Sequence, residues 1–295
     1  LNKEEEDKRY QIFINNLDII NKRNKEEISK GGNAIHGITK FSDISQNEFE
    51  LNYLLSKSIY KNKNNDNNNN NKNQTILKDI PKYNGPAGLV DWSGTFTTPV
   101  KDQGYCGSCW AFSATAQIES DAIRTLGAYF ILSPEQITQC DSTSYGCGGG
   151  WTEHAYDYVR NAGGIQTDGD YPYTSYWGET GSCHADSSRF VIGVDGYSTI
   201  WGESNMASYV QSTGPLSVCV DASNWNSYTG GIMYSCGQSV DHCVQAVGVD
   251  TDGGYWKVRN SWGTSWGEGG YIRLSYGSNT CAIASDPTFV NVRRI

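Results

Sequence analysis

The sequence has little of what would direct it to a membrane, a nucleic acid or a metal ion. No apolar run approaches the roughly 18 residues that a membrane-spanning helix needs. Lys and Arg number 23 against 32 Asp and Glu, and the resulting net charge of −9 argues against nucleic acid or an anionic membrane as a partner. Neither a second C-x-x-C nor an H-x3-H accompanies Cys106 and Cys109, so a zinc site lacks its ligands. With 37% apolar residues, the chain can still bury a large core.

Histidine is scarce and cysteine is unevenly placed. The four histidines are His36, His154, His184 and His242, and all nine cysteines follow residue 100. Such cysteine usage is typical of an oxidising compartment, and an odd number leaves one thiol free after pairing. The sequence begins with Leu rather than Met, so we expect an initiator and any signal peptide to have been removed or to lie outside it. The cysteines therefore favour a lysosomal, endosomal or secreted protein.

Cys109 is the strongest candidate for a nucleophile. It lies in the run Cys-Gly-Ser-Cys-Trp, residues 106–110. Ser108 is a typical N-cap, the following residues are rich in Ala with apolar positions at helical spacing, and Gly127 predicts the end of the helix. Cys109 would then lie in the first helical turn, where the helix dipole favours the reactive thiolate.

His242 and Asn260 are the candidates for a base and its orienting group. His242 opens a strand-like run that extends to Val249, and a second such run, 255–259, leads directly into Asn260. A hairpin between these strands would bring Asn260 close to His242. The two residues follow Cys109 by 133 and 151 positions (242 − 109 and 260 − 109). This separation is typical of one family of thiol proteases.

Further motifs extend the likeness across the whole chain. Val-Lys-Asp-Gln-Gly precedes the nucleophile at 100–104, Gly-Cys-Gly-Gly-Gly follows at 146–150, and Asn-Ser-Trp-Gly-Thr-Ser-Trp-Gly stands at 260–267. The chain thus resembles a proform of the papain family of cysteine proteases, of the cathepsin type. Residues 37–43 resemble the prosegment motif G-x-N-x-F-x-D, with Thr39 where Asn is usual. The helical prosegment motif of that family is matched by Glu5, Arg9, Phe13, Asn16, Ile20 and Asn24.

The resemblance implies an α+β, papain-like fold of two lobes. A largely helical half would carry Cys109, a β-barrel-like half would carry His242 and Asn260, and the active site would lie in the cleft between them. An inhibitory helical prodomain would span 1–60, and the peptidase domain 86–295. The segment 61–85 reads as a low-complexity, Asn-rich linker and extended prosegment with a glycosylation sequon at Asn73.

Charge differs between these parts. Residues 1–85 carry 14 Lys and Arg against 12 Asp and Glu, a net of +2, and residues 86–295 carry 9 against 20, a net of −11. An acidic body suits an acidic compartment. Because acid would weaken the attraction between the two parts, we expect acid to activate the protein.

The resemblance also assigns roles. It implies the zymogen of a cysteine endopeptidase in which a Cys109 thiolate and His242 cleave peptide bonds, Asn260 orients His242, and Gln103 stabilises the oxyanion. No cofactor and no metal are implied. The expected partners are peptide substrates and the chain's own prosegment, with no nucleic acid and no membrane span, in a monomer. The residues expected to bind substrate are Gly149, Gly150, Trp151, Thr152, Cys219, Asp241, Cys243, Trp262 and Asp286.

Three disulfides carry over from the family pattern: Cys106 with Cys147, Cys140 with Cys183, and Cys236 with Cys281. Cys219 and Cys243 remain, at positions where relatives more often have small apolar residues. We expect them to form a fourth bridge in the wall of the pocket for the substrate's P2 side chain. Two buried free thiols are the alternative.

Other functions use parts of the same pattern. Cys106 and Cys109 alone would suit a thioredoxin-type redox pair, but no βαβ pattern surrounds them. A non-catalytic homologue would be expected to lack one of the four catalytic residues. A thiol acyl transferase that ligates peptides would use all four. An exopeptidase would need a block in the cleft, and no paired-histidine loop of the cathepsin B kind is present.

Overall fold

The computed structural model describes residues 2–55, 74–77 and 80–295. Most of the predicted Asn-rich linker, including Asn73 of the sequon, lies outside these residues. The helices of the described part are α1 Lys3–Ser29, α2 Gln46–Tyr53, α3 Cys109–Leu126, α4 Pro134–Cys140, α5 Thr152–Ala162 and α6 Glu203–Ser212. Its strands are β1 Ile35–His36, β2 Gln74–Ile76, β3 Leu89–Asp91, β4 Ile192–Thr199, β5 Leu216–Val220, β6 Tyr228–Gly230, β7 Ile232–Met233, β8 His242–Asp250, β9 Tyr255–Arg259, β10 Tyr271–Ser275 and β11 Thr288–Arg294.

Helix α3 begins at the candidate nucleophile and ends at Leu126, as predicted. Gly127 follows with a left-handed backbone, φ 60°, which a residue without a Cβ adopts at little cost. The predicted capping by Ser108 is wrong. Its ψ of 14° is far from the extended value of an N-cap, and its hydroxyl lies 2.9 Å from the hydroxyl of Tyr173 instead of accepting from the helix. Cys109 nevertheless occupies the first turn.

The predicted hairpin between β8 and β9 is present. These strands pair antiparallel, with Gln245 opposite Arg259, in a sheet whose order is β2-β4-β11-β5-β8-β9-β10-β7, with β3 also on β8. The Asp250 carboxylate closes the turn by accepting from the backbone N–H of Gly253 at 2.7 Å. Asn260, the residue after β9, is therefore held at the end of the strand that lies beside β8.

Two apolar cores correspond to the two expected halves. One packs α3, α4 and α5 together around side chains such as Trp110, Ile118 and Tyr156. The other lies between the sheet and α6 and contains Trp225, Trp256 and Trp266. The expectation of an α+β fold with a helical half and a sheet half is confirmed. None of the described helices is long and apolar enough to cross a bilayer.

The N-terminal motif residues fasten α1 to the segment that follows it. Arg9 pairs with Glu5 at 2.7 Å and with Glu48 of α2 at 2.9 Å. The Asn16 amide donates to two backbone carbonyls of the connecting turn, 2.9 Å each. Asn24 exchanges two hydrogen bonds with the backbone of His36. The motif therefore stabilises one compact unit of α1, β1 and α2, and β1 joins it to the body by pairing with β6.

The structure contains four disulfides. Three join the pairs implied by the resemblance, Cys106–Cys147, Cys140–Cys183 and Cys236–Cys281. The fourth joins Cys219 to Cys243, which lie opposite each other on β5 and β8. Cys109 is left as the free cysteine, and it is buried.

We expect thiol titration of the denatured, unreduced protein to detect one thiol, because only Cys109 lies outside a bridge. Nonreducing peptide mapping should find Cys219 linked to Cys243. Cys109→Ser should lower the titre to zero. Three thiols in the unsubstituted chain would contradict the fourth bridge.

Candidate active site

The ring of His242 is held by Asn260. Nε2 of His242 lies 2.7 Å from Oδ1 of Asn260, and the same oxygen accepts from the backbone N–H of Ser261 at 2.8 Å. Because Oδ1 can only accept, Nε2 carries the proton and Nδ1 has the free lone pair of the neutral ring. Nδ1 is buried and finds no hydrogen-bond partner among the residues that the structure describes. The ring is thus oriented with one nitrogen available for proton transfer.

Aromatic rings enclose the contact between His242 and Asn260. The indole of Trp262 stacks on the imidazole with ring centroids 4.8 Å apart, and Trp225 meets it edge-on at 6.0 Å. His242, Asn260 and Trp262 are all buried. Excluding water strengthens the hydrogen bond that orients His242, because the local dielectric is low.

Gln103 lies on the other side of the cleft floor, where Ser261 orients it. Its Oε1 accepts from the Ser261 hydroxyl at 2.7 Å. Its amide Nε2 donates to the carbonyl of Cys106 at 2.9 Å and to the carbonyl of Tyr53 at 3.1 Å. Sequence reasoning singled out Gln103 but not Ser261 as its support, although Ser261 lies inside the Asn-Ser-Trp-Gly motif that could have indicated it.

Burial changes the electrostatics that the helix position of Cys109 predicts. The thiol is fully buried, and loss of solvation raises its pKa to about 12, although the backbone N–H groups of Cys243 and Trp110 favour the thiolate. In this covered state desolvation therefore opposes the helix terminus and disfavours the thiolate. Burial likewise lowers the pKa of His242 to about 4. Burial thus disfavours the charged form of both groups while the cleft is covered.

The end of α2 and the two residues after it cover the cleft. The Tyr53 carbonyl accepts from Gln103, the Leu54 carbonyl lies beside Gly107, and the Leu55 N–H donates to the carbonyl of Asp241 at 2.6 Å. Leu55 is 2% exposed. Its side chain belongs to the same cluster of buried apolar groups as those of Cys109, Cys219, Val240 and Cys243. These residues were not anticipated from the sequence, because no spacing rule marks where a prosegment meets the cleft.

The other expected binding residues are buried. Asp241 and Gly148 line a cavity together with Leu51, Leu54 and Leu55. Trp151 and Thr152 are buried at the start of α5, directly after the glycine run. Asp286 is 7% exposed and precedes β11, four residues after Ala282 of the Leu55 cluster.

Gly149 and Gly150 have packing reasons to be glycine. Gly149 has φ 117°, a backbone that other residues rarely adopt. A Cβ on Gly150 would lie 2.6 Å from the Trp110 ring. Since Trp110 follows the nucleophile, the glycine run is packed directly against the start of α3. This packing is additional to the expected role of the two glycines in substrate binding, which the structure leaves as a prediction.

Comparison with known families matches almost the whole chain. Residues 87–291 match the model of the papain family of cysteine proteases, and residues 1–49 match that of the cathepsin propeptide inhibitor domain.

Individual relatives agree. The chain is 36% identical over 299 residues to cysteine proteinase 2 of Leishmania pifanoi, covering 98% of this chain but only 65% of that protein, which is less than two thirds of its length. It is 36% identical over 315 residues to digestive cysteine proteinase 1 of Homarus americanus, covering 98% of this chain and 89% of that one. The solved structure of digestive procathepsin L 3 from the larval midgut of Tenebrio molitor superposes with a TM-score of 0.82 at 31% identity, covering 98% and 92% of the two chains.

Proposed function

The chain belongs to the papain family of cysteine proteases, and we propose that it is the zymogen of a cysteine endopeptidase with Cys109 as nucleophile. The observation that carries the proposal is the 2.7 Å contact of His242 with Asn260 at the floor of a cleft that also holds the buried Cys109 thiol. The free Nδ1 of His242 is the natural acceptor for the thiol proton, because the next backbone N–H, that of Cys243, already faces the sulfur.

The chemistry follows from these positions once the cover is removed. Water then solvates the cleft, the proton moves from Cys109 to His242, and the resulting thiolate attacks the peptide carbonyl carbon. The C–N bond breaks as His242 returns the proton to the departing amine, leaving a thioester. His242 next takes a proton from water, whose oxygen attacks the acyl carbon of the thioester. The C–S bond then breaks, which releases the carboxylic acid and returns the Cys109 thiolate beside protonated His242. Asn260 keeps the ring oriented throughout.

The oxyanion of each step would be held by Gln103. Its Nε2 already donates to a carbonyl, that of Tyr53, in the covered state. The donor direction is therefore preorganised by the Ser261 hydroxyl before substrate enters. The backbone N–H of Cys109 would supply the second donor.

The cover lies in the direction opposite to a substrate. Along the cleft, Tyr53 contacts the ring of Trp262, its carbonyl reaches Gln103, and Leu55 enters the cluster that contains Cys219 and Cys243. If that cluster is the P2 pocket, a cleavable peptide would run from it towards Gln103. The prosegment runs from Gln103 towards it. A reversed peptide bond does not align with Cys109, which explains how the segment blocks the site without being cut.

The remaining assignments are supported by composition and by the family matches. The division into a prodomain at 1–60, a linker and extended prosegment at 61–85 and a peptidase domain at 86–295 agrees with the matched ranges 1–49 and 87–291. Four disulfides favour an oxidising compartment, hence a lysosomal, endosomal or secreted location. The acidic body suits peptide substrates at low pH and a monomeric enzyme.

We expect Cys109→Ser to abolish peptide hydrolysis without loss of the fold. Gln103→Ala should lower kcat by about 10²-fold, the usual loss for one oxyanion donor. Asn260→Ala should retain some activity, because this residue orients and does not react. The measurement is hydrolysis of a fluorogenic peptide by activated protein, with Asp252→Ala in an exposed turn as a control. Normal turnover in Cys109→Ser would refute the assignment.

Acid activation has a local origin in the docked prosegment. His36 is only 3% exposed, and its Nδ1 lies 2.8 Å from the Ser227 hydroxyl of the body. Burial, with Arg23 nearby, lowers the pKa of His36 from 6.5 to about 4, while Glu26 acts weakly in the opposite sense. Docking therefore favours the neutral form of His36.

The direction of the pH effect follows from the pKa values of His36 in the free and the docked prosegment. Docking is at full strength above the free pKa of 6.5 and weakens as the pH falls through about 4, because the released histidine binds a proton that the docked one excludes. The shift corresponds to about 3 kcal/mol of docking free energy. Glu27 opposes this effect. Burial raises the pKa of its carboxyl, which accepts from two backbone N–H groups at 234 and 235, so acid favours its docking.

We expect His36→Gln to make docking less sensitive to acid and Glu27→Gln to make it more sensitive. The background is Cys109→Ser, which cannot cut itself. Hydrogen exchange of residues 35–55, corrected for intrinsic rates, should rise as the pH falls from 7 to 4, and less so in His36→Gln. His184→Gln, at an exposed histidine, is the control. The same pH response in His36→Gln and the parent would contradict this origin.

P2 specificity depends on Asp286. The Leu55 side chain in the covered cleft indicates that the pocket accepts an apolar group, and Asp286 lies close in sequence to Ala282 of the same cluster. A carboxylate that is 7% exposed gains a charge-assisted hydrogen bond from a guanidinium. The alternative is that Asp286, before Pro287, only caps a turn.

We expect Arg or Lys at P2 to be accepted alongside Leu, and Asp286→Ala to lower kcat/KM for P2 Arg more than for P2 Leu. Matched fluorogenic substrates differing only at P2 provide the ratio. Asp252→Ala should leave it unchanged. An unchanged ratio in Asp286→Ala would remove this residue from the pocket.

A further inference from the structure

Two aromatic side chains stand exposed beside the cleft. Tyr105 is 42% exposed and Trp177 is 76% exposed, and their rings stack with centroids 5.8 Å apart and planes 15° apart. Tyr176 meets the Trp177 ring at 78°, centroids 5.1 Å apart, and supports it from below. Side chains this large and this exposed contribute little to a core, so the pair, called here the aromatic shelf, calls for another explanation.

The backbone holds the aromatic shelf rigidly next to the catalytic floor. The Tyr105 N–H donates to the carbonyl of Tyr176 at 2.8 Å. Gly104 has φ 60°, and a Cβ there would lie 2.3 Å from the Tyr176 carbonyl oxygen. The segments around residues 104 and 176 therefore approach each other more closely than any residue other than glycine at 104 would allow. Tyr105 also lies two residues after Gln103 and directly before the bridged Cys106, so the shelf has a fixed distance from the oxyanion donor.

Space for a ligand lies in front of the aromatic shelf. A cavity of about 630 Å³ is lined by Tyr105, Cys147, Gly148, Trp177, Gly178 and Thr180. The prosegment closes it on one side through Leu51 and Asn52. Removing the prosegment would open this cavity directly into the cleft. Its volume is in the range of sites that hold small ligands or side chains.

The prosegment indicates which side of the scissile bond the shelf serves. The Tyr53 carbonyl lies on Gln103, and the Tyr53 ring contacts that of Tyr105, centroids 5.5 Å apart. Leu55, two residues later, belongs to the buried apolar cluster that also contains Cys219 and Cys243. Along the prosegment, Tyr53 meets the shelf and Gln103 before Leu55 reaches that cluster, and a substrate would run in the opposite direction. A substrate residue on the shelf belongs to the leaving-group half of the peptide.

We infer that Tyr105 and Trp177 form a subsite for an aromatic or large apolar side chain on the leaving-group side of the scissile bond. This inference rests on the proposed function. The Tyr53 ring shows the kind of group that the shelf accepts in the covered state, and stacking on a preformed flat surface costs little ordering. Typical energies of aromatic pairs correspond to a preference of roughly 3- to 10-fold for a Phe side chain over Ala at this subsite.

Acyl transfer tests this side of the cleft separately. The full chain is first activated and then given a coumarin amide with Leu at P2, a substrate that has no amino-acid residue on the leaving-group side. The dipeptide amides Phe-Ala, Ala-Phe and Ala-Ala are then added in turn to compete with water for the thioester. The partition between transfer and hydrolysis reports how well each dipeptide amide binds there, whatever the rate of acylation.

In the unsubstituted enzyme, one or both Phe dipeptides should be preferred over Ala-Ala by roughly 3- to 10-fold. The preference should disappear in Trp177→Ala, survive in Trp177→Phe, and be unchanged in Trp201→Ala, a matched loss of an exposed indole elsewhere. An equal partition for all three dipeptides, or a preference that persists in Trp177→Ala, would overturn the subsite while the coumarin substrate is still cleaved. No cleavage of that substrate would instead refute the proposed function, and the subsite with it.

Discussion

One aromatic ring, the indole of Trp262, serves both the catalytic pair and its cover. On one side it stacks on His242 at 4.8 Å, and on the other it meets the rings of Phe41, Phe49 and Tyr53 of the N-terminal segment at 5.3, 5.3 and 6.4 Å. Trp225 and Trp266 complete the cluster from the body. The surface that keeps water from the imidazole is therefore the same surface on which the cover docks. The cover cannot bind elsewhere without leaving this apolar area exposed.

Because Trp262 contacts both His242 and the cover, latency and activity both depend on how much water reaches the catalytic pair. With the cover in place, Cys109 and His242 are buried, and loss of hydration raises the pKa of the thiol and lowers that of the imidazole. Removal of the cover exposes the Cys109 thiol, while the Trp262 indole still shields the face of His242 on which it stacks. The hydrogen bond to Asn260 persists in a dry environment while the nucleophile becomes wet enough to ionise.

A second network holds the two halves in register. The buried Arg259, which precedes Asn260, donates to the backbone of Thr98 and to Gln245 of β8. Glu119 of α3 accepts from Thr98 and Lys101. The helix that carries the nucleophile and the strand that leads to Asn260 are thus joined through satisfied buried charges. Such charges are stable only when fully paired, which disfavours sliding of one half past the other.

Local patterns in the sequence were sufficient for the elements and the reacting residues. Spacing predicted α3 from its first residue to Gly127, and alternation predicted the β8–β9 hairpin that brings Asn260 to His242, because both patterns follow from backbone periodicity. Only the tertiary structure decided the rest. It placed the Ser108 hydroxyl against Tyr173 and not on the end of α3, buried His36 against Ser227, and desolvated the Cys109 thiol. Each of these outcomes depends on groups from distant parts of the chain that pack against the residue. Local spacing does not encode which distant groups pack there or how much water they exclude.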